Sequence, residues 1–522
     1  MRSRTSKLIR LLAPVGLIPL FACLAPPVES PKTTITQETS VRVEQNIKNK
    51  VDLLFMVDNS PSMAPKQTEL RNRFPQLITA LQNFATMGSP ASYHIGVVTS
   101  DLGAGQFNLN NGQCHPGGDG AKLQVAPAPS AINPPANCAN FGLSGGQRFL
   151  DYNQLTGTNN ITGGLDVPSA FNCMASVGEA GCGFEYQLES VYRALHDPIP
   201  ENQGFLRPDA ILAVVWVTDE DDCAAPDDTD LFDPSTAGIN KYSTLHSFRC
   251  TQFGIMCNNQ LVPGMSTGGA IPGSCVSAPA SMGGKLTDIN KYINFFSGPA
   301  ASGGVKTDPN DVILVSIVAP PQPVAVDIKM PCPDQPNTPS CSILTHSCVA
   351  AANPKFFGDP AVRINQVVTS AKNHNETSIC DTDYTAAIDA LGNLIISQIG
   401  AGCLNSPVAK RADGTPDCVV EDVTANTDGT STTKEIPSCA QGASPPCWKL
   451  DDKLAQYQQQ GCVPRGQVAP MSCKLPPSCQ PVTNPVDNTM QLASIGIDRG
   501  GAMPPANTTA HVSCATIASS SK

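Results

Sequence analysis

Asp58, Ser60 and Ser62 occupy alternate positions in VDLLFMVDNSPSM (51–63), where an apolar run gives way to a turn. Alternate residues of a turn can face one point, so Asp-x-Ser-x-Ser offers one hard cation a carboxylate and two hydroxyls. A fourth oxygen donor, Asp219, follows a second apolar run, AILAVVWVT (210–218). Mg²⁺ prefers an octahedron of oxygens and keeps some water, a demand that two such turns can meet together. Taken alone, Asp-x-Ser-x-Ser is also a helix cap, so the surrounding elements must decide.

Other chemically suggestive residues lack such support. Ser144 in GLSGG (142–146) matches the Gly-x-Ser-x-Gly elbow of hydrolases, which needs a strand before it and a helix after it. Here it lies in a Gly-rich stretch close to Cys138. Cys332, Cys341, His346 and Cys348 could offer zinc a donor set, but their spacing fits no common zinc module. TANTDGTSTTKE (424–435) places Thr424 where a calcium loop needs Asp, which leaves a turn at Asp428-Gly429. No His-Glu-x-x-His pair occurs among the seven histidines. Asp101, after VVTS, stands at another strand end and is either a further residue of the same face or a loop aspartate. Beyond Asp219, the run Glu220-Asp221-Asp222 reads as a solvated acidic loop.

The elements that must position these residues alternate. Residues 51–57, YHIGVVTS (93–100), AILAVVWV (210–217) and DVILVSIVA (311–319) read as strands; the last two are continuous apolar runs, as in parallel strands covered on both faces. Residues 66–86 set Leu70, Phe74, Leu77, Ile78, Leu81 and Phe84 at helical spacing, with Pro75 expected to kink or restart the helix. FEYQLESVYRAL (184–195) and DTDYTAAIDALGNLIISQI (381–399) carry further helical stripes. Strands alternating with helices predict a doubly wound, mostly parallel α/β sheet. Ligands of such sheets bind at the carboxyl ends of the strands, where Asp58 and Asp219 both stand. Long Gly-, Pro- and Cys-rich insertions interrupt the pattern at about 102–170, 220–308 and 319–375. From Cys403 to the end the chain reads as a small disulfide-stapled β-rich domain, with a strand pair in MQLASIGID (490–498) and TTAHVSC (508–514).

Net charge is −11 with no basic stripe, which argues against nucleic acid as a partner. Arg2, Arg4, Lys7 and Arg10 precede an apolar stretch of about a dozen residues, too short to span a bilayer, and together they read as an export signal over 1–22. Its end, LFAC, resembles the bacterial lipoprotein signal box, which implies lipid on Cys23. Leu24 stands where an Asp would retain such a protein at the inner membrane, so the resemblance implies an outer-membrane lipoprotein. Polar, Pro-containing residues 23–48 read as a tether. Removing Cys23 from 21 cysteines leaves an even number in an exported chain, hence disulfides. Cys173 and Cys182 are expected to pair across the loop between them.

DNSPSM after an apolar strand, with VTD closing a later one, resembles the von Willebrand factor A domain over about 49–402, insertions aside, and more narrowly the bacterial lipoproteins that carry one. The resemblance implies a metal-ion-dependent adhesion site lined by Asp58, Ser60, Ser62 and Asp219, with an open position for a partner's carboxylate. The family's threonine ligand before the third helix is missing from GEAGCGFEYQL (178–188), where Glu185 is the nearest oxygen donor. The expected cofactor is Mg²⁺, with Mn²⁺ or Ca²⁺ as alternatives. The expected function is cation-dependent binding of a protein or glycan partner at the cell envelope, without chemistry on it. A metal-dependent accessory module of an envelope enzyme or maturation complex, and a purely structural envelope lipoprotein, remain open.

Overall fold

The computed structural model describes residues 45–47, 49–85, 91–109, 112–131, 133–154, 156–264, 268–332, 338–399, 403–404, 406–425, 430–459, 461–462, 479–500 and 508–517. The expected signal segment, Cys23, most of the tether and the turn at Asp428-Gly429 lie outside them.

Seven strands build the central sheet: β1 (Lys50–Val57), β2 (Ser92–Thr99), β3 (Leu150–Asn153), β4 (Thr158–Asn159), β5 (Ile211–Val217), β6 (Val312–Val318) and β7 (Asn373–Ser378). They lie in the order β7-β6-β5-β1-β2-β3-β4. The first five in that order are parallel, and β3 and β4 add an antiparallel edge. Six helices flank it: α1 (Ala64–Ala85), α2 (Val167–Met174), α3 (Gln187–His196), α4 (Ile289–Ser297), α5 (Val362–Val368) and α6 (Thr385–Gln398). The chain therefore folds as the doubly wound α/β sheet that its pattern predicts.

Strand side chains alternate between faces, and β1 shows why its sequence is apolar throughout. Val51, Leu53, Phe55 and Val57 enter the core under α1, α2 and α6, while Leu54 and Met56 enter the core under α3, α4 and α5. Helix α1 runs unbroken through Pro75, its Leu70, Phe74, Leu77, Ile78 and Leu81 all buried. The 319–375 insertion is shorter than its composition implied. It ends in α5 and opens β7, an edge strand whose sequence NHNETS carries no apolar signal.

The C-terminal residues form small antiparallel sheets from β8 (Cys403–Leu404), β9 (Cys418–Ala425), β10 (Ser431–Ile436), β11 (Cys447–Asp452), β12 (Ala493–Asp498) and β13 (Thr508–Cys514). Val420, Ile436, Trp448, Ile495 and Val512 supply their shared core. The expected pairing of MQLASIGID with TTAHVSC does not occur. β12 pairs with β11 and β8, while β13 pairs with β9 and with Gln45–Ile47 of the tether segment. The Cys418–Cys514 bridge lies in register between β9 and β13 and fixes that choice.

All nineteen cysteines among the described residues are disulfide-bonded. The Cys173–Cys182 pairing is corrected: Cys173 bonds Cys138, and Cys182 bonds Cys114. Nearness in sequence misleads here because Cys173 ends α2, whose Phe171 and Met174 fill one core, whereas Cys182 belongs to the core on the opposite face of the sheet. Cys332–Cys341 and Cys348–Cys380 bridges consume the cysteines of the possible zinc set.

Candidate metal centre

Parallel register sets the geometry of the site. Val57 of β1 stands opposite both Thr99 of β2 and Val217 of β5. The next residue of each strand is therefore brought alongside its neighbours, and these are Asp58, Ser100 and Thr218. Ser100 Oγ donates to Asp58 Oδ1 at 3.1 Å and Thr218 Oγ1 donates to Asp58 Oδ2 at 2.6 Å. The Ser60 backbone N–H adds a 2.7 Å bond to Oδ1. The main chain is anchored as well: Asp58 N–H donates to Val217 O, and Gln67 Nε2 donates to Asp58 O. Ser100 and Thr218 were not singled out from sequence, although both are hydroxyl residues one step past an apolar strand.

Asp58, Ser60 and Asp219 are brought together and buried, at 0%, 2% and 1% exposure. Asp219 Oδ1 has no hydrogen-bond partner, and Ser60 Oγ makes no well-formed hydrogen bond, although it faces the Asp58 carboxyl closely enough to favour its charged form. A buried polar atom without a partner costs about 1–3 kcal/mol, so two poorly satisfied oxygens at one site mark a place built for something else to contact. Ser62 is half-buried, and its backbone carbonyl accepts from Lys66 Nζ at 3.2 Å. Burial first, and the neighbouring Asp219 charge second, push the Asp58 carboxyl up to about 6.

Lys66 is the residue that sequence reasoning missed. It is fully buried in the first turn of α1, and its ammonium lies 2.5 Å from Asp219 Oδ2. The Phe357 ring closes over it at 4.0 Å, and His346 stacks on the outer side of that ring while bonding Asp359 at 2.6 Å. The signal was present: Lys66 falls on the α1 stripe of Met63, Leu70 and Phe74, where a charge needs a partner.

Glu185 is buried next to this cluster, and the Asp58 charge acts on it. Its carboxyl shares a hydrogen bond with half-buried Glu220. Burial, and then the Glu220 charge, hold Glu185 well above the carboxylate range; burial and then Asp359 do the same to Glu220. The acidic run is therefore not the solvated loop expected of it. Asp222 pairs with buried Arg363 at 3.1 Å and caps Leu188 N, and Asp221 accepts from the Arg363 and Ile364 backbone. A cavity of about 20 Å³, room for about one water, lies among Glu185, Glu220, Asp221, Asp222 and Asp359.

Asp101 does not join the donor set. It accepts from Gly103 N–H at 2.8 Å and holds its own loop. With Asn59, Thr99, His115, Asp119 and Arg148 it lines an open groove of about 410 Å³ beside the site. Loop 181–186 reaches the Asp58 turn through Gly181 N–H, which donates to Asn59 O, and is tied by the Cys114–Cys182 bridge. A Cβ at Gly181 would stand 2.2 Å from Asn59 Oδ1, so any larger residue here would have to displace the Asn59 side chain. Ser144 lies in an exposed Gly-rich turn after a two-residue strand, far from the hydrolase arrangement.

Among the described residues no three His, Cys, Asp or Glu side chains are grouped so as to hold a metal ion. The donor set is of another kind, two aspartates with hydroxyl oxygens, and its two poorly satisfied oxygens fit a hard cation.

No protein-family model and no curated protein matches the chain. Among solved structures it is similar to the pilus adhesin SpaC of Lactobacillus rhamnosus GG in its open conformation, at 9% identity over 90% of this chain and 39% of that one, TM-score 0.29. A von Willebrand factor type A protein from Catenulispora acidiphila is 11% identical over 92% and 62%, TM-score 0.25. The pilus adhesin RrgA of Streptococcus pneumoniae is 11% identical over 91% and 57%, TM-score 0.26. The chain thus spans less than two thirds of the length of each of these three proteins.

Proposed function

We propose that this chain is a cell-envelope binding protein whose von Willebrand factor A-like body holds a divalent cation, Mg²⁺ first, and uses it to engage a carboxylate of a protein or glycan partner. The observation that carries the reading is the pair of buried, poorly satisfied oxygens, Ser60 Oγ and Asp219 Oδ1, beside Asp58 at the carboxyl ends of adjacent parallel strands. Asp58, Ser60, Ser62 and Asp219 would hold the cation, with Glu185 in the region where the related domains place a threonine. Bound there, the cation would supply a Lewis-acidic position for an external carboxylate. The chain's own residues do the rest. Ser100, Thr218 and the Ser60 N–H orient Asp58, and the groove beside Asn59 leaves room for a partner's segment. Disulfide bonding at every described cysteine fits an oxidising compartment. Lipid on Cys23 would place the protein at the outer membrane. In this reading the protein binds its partner without chemistry on it.

The test is a melting experiment with a capture arm. A cation that binds only the folded protein stabilises it by about 2.7 kcal/mol at a hundredfold excess over Kd. Millimolar Mg²⁺ or Mn²⁺ should raise the Tm of the wild type, chelator should reverse the rise, and Asp58→Ala should abolish it. Capture of an envelope component by immobilised protein should fall in parallel. Identical melting of wild type and Asp58→Ala across a full titration would return DNSPSM to a simple helix-capping turn.

A further inference from the structure

Lys66 gives the site a cation of its own. An ammonium has three donors, and the structure accounts for all three directions: Asp219 Oδ2, the Ser62 carbonyl and the face of Phe357. Lys66 and Asp219 are both fully buried, so neither can fall back on water. The ammonium holds one oxygen of a carboxylate whose other oxygen, Oδ1, has no partner.

Resting on the metal reading above, we propose that Lys66 is a tethered competitor of the divalent cation: its ammonium withholds Asp219 from a metal and sets a weak affinity for it. Two cations on one buried carboxylate repel each other strongly, because the low-dielectric surroundings screen them little. Asp58 and Asp219 bring two carboxyl groups to the site, and Lys66 already pairs with one of them before any metal arrives. A divalent ion at the four-residue donor set therefore binds against the ammonium, or binds when the Lys66 side chain leaves Asp219. The Phe357 ring, carried by the segment that the Cys348–Cys380 bridge ties down, keeps the ammonium in place. The occupied and the metal-receptive arrangements then differ by one side chain, with the backbone of β1, β5 and α1 unchanged.

The experiment is a Mn²⁺ titration of the full chain, read by calorimetry and by Tm, on wild type, Lys66→Met and Lys66→Gln. Both variants fill the stem's volume without the charge, and Lys66→Gln guards against misfolding of the apolar one. Each should bind Mn²⁺ at least tenfold more tightly than wild type. Each should also melt lower than wild type in chelator and recover in Mn²⁺, because the metal then neutralises the carboxylate that Lys66 served. Equal or weaker Mn²⁺ binding by the variants, alongside clear binding by wild type, would overturn the competitor role and leave the metal site standing. Absence of Mn²⁺ binding in all three proteins would overturn both.

Discussion

Asp58 is the residue on which the chemistry of the site turns, and its ionisation links metal, proton and stability. Its carboxyl titrates near 6 in the folded chain against an ordinary value of 3.8. The folded state therefore holds the proton more tightly than the unfolded state between these values. With a raised folded value, the stabilisation is complete below about 3.8 and is lost as pH rises through about 6. Metal-free protein should lose stability over that window, and saturating Mg²⁺ should restore it above pH 6. Conversely, apparent metal affinity should fall about tenfold per pH unit below about 6, since binding must displace one proton. Tm measured against pH, with and without Mg²⁺, checks both signs. Flat and parallel curves would remove Asp58 from the ligand set.

At the scale of elements, the site is held by the sheet and by disulfides that tie insertions to the loops beside it. The sheet fixes Asp58, Ser100 and Thr218 through register alone. Loop 181–186, which carries Glu185, depends on the Cys114–Cys182 bridge to the first insertion and on the Gly181 contact with Asn59. The segment bearing Phe357 depends on Cys348–Cys380. Replacing Cys114 and Cys182 together by Ser should cost roughly 2–4 kcal/mol in denaturant unfolding. It should also weaken Mn²⁺ binding, because Glu185 would no longer be fixed beside Asp58. Unchanged Mn²⁺ affinity in a destabilised double variant would show that this loop contributes nothing to the metal.

At the scale of the whole molecule, a short segment separates the expected anchor at Cys23 from the strand that carries Asp58. Gln45–Ile47 leads from the tether segment onto β13 of the C-terminal sheets before the chain enters β1. The C-terminal strands thus meet the chain where the tether joins the α/β body. No helix among the described residues is long and apolar enough to cross a membrane, and the anchor proposed above is lipid on Cys23. Stable anchoring takes two lipid signals, such as dual acylation, whereas a single chain binds marginally. Cys23→Ser should therefore move the protein from the membrane fraction to the soluble envelope fraction without altering its Mn²⁺-dependent Tm. A mature wild-type chain that begins downstream of Cys23 would end this expectation.

The sequence alone determined what depends on local pattern. Apolar runs of seven or eight residues, bounded by polar turns and alternating with helical stripes, read as strands covered on both faces, and the stripes of α1, α3 and α6 declared their buried sides. Asp58, Ser60 and Asp219 could be placed at strand ends because a strand's carboxyl end is visible wherever an apolar run meets polar residues. Only the tertiary structure decided what depends on register and on long-range contact. Ser100 and Thr218 became partners of Asp58 because parallel strands align Val57, Thr99 and Val217, and no local pattern encodes that alignment. Edge strand β7, with one apolar-poor sequence, left no periodicity to read. Disulfide connectivity followed the two faces of the sheet rather than spacing, which is why Cys173 and Cys182 found other partners. Lys66 was legible only as a charge on an apolar stripe. That its partner is Asp219, 153 residues away, is a fact of packing.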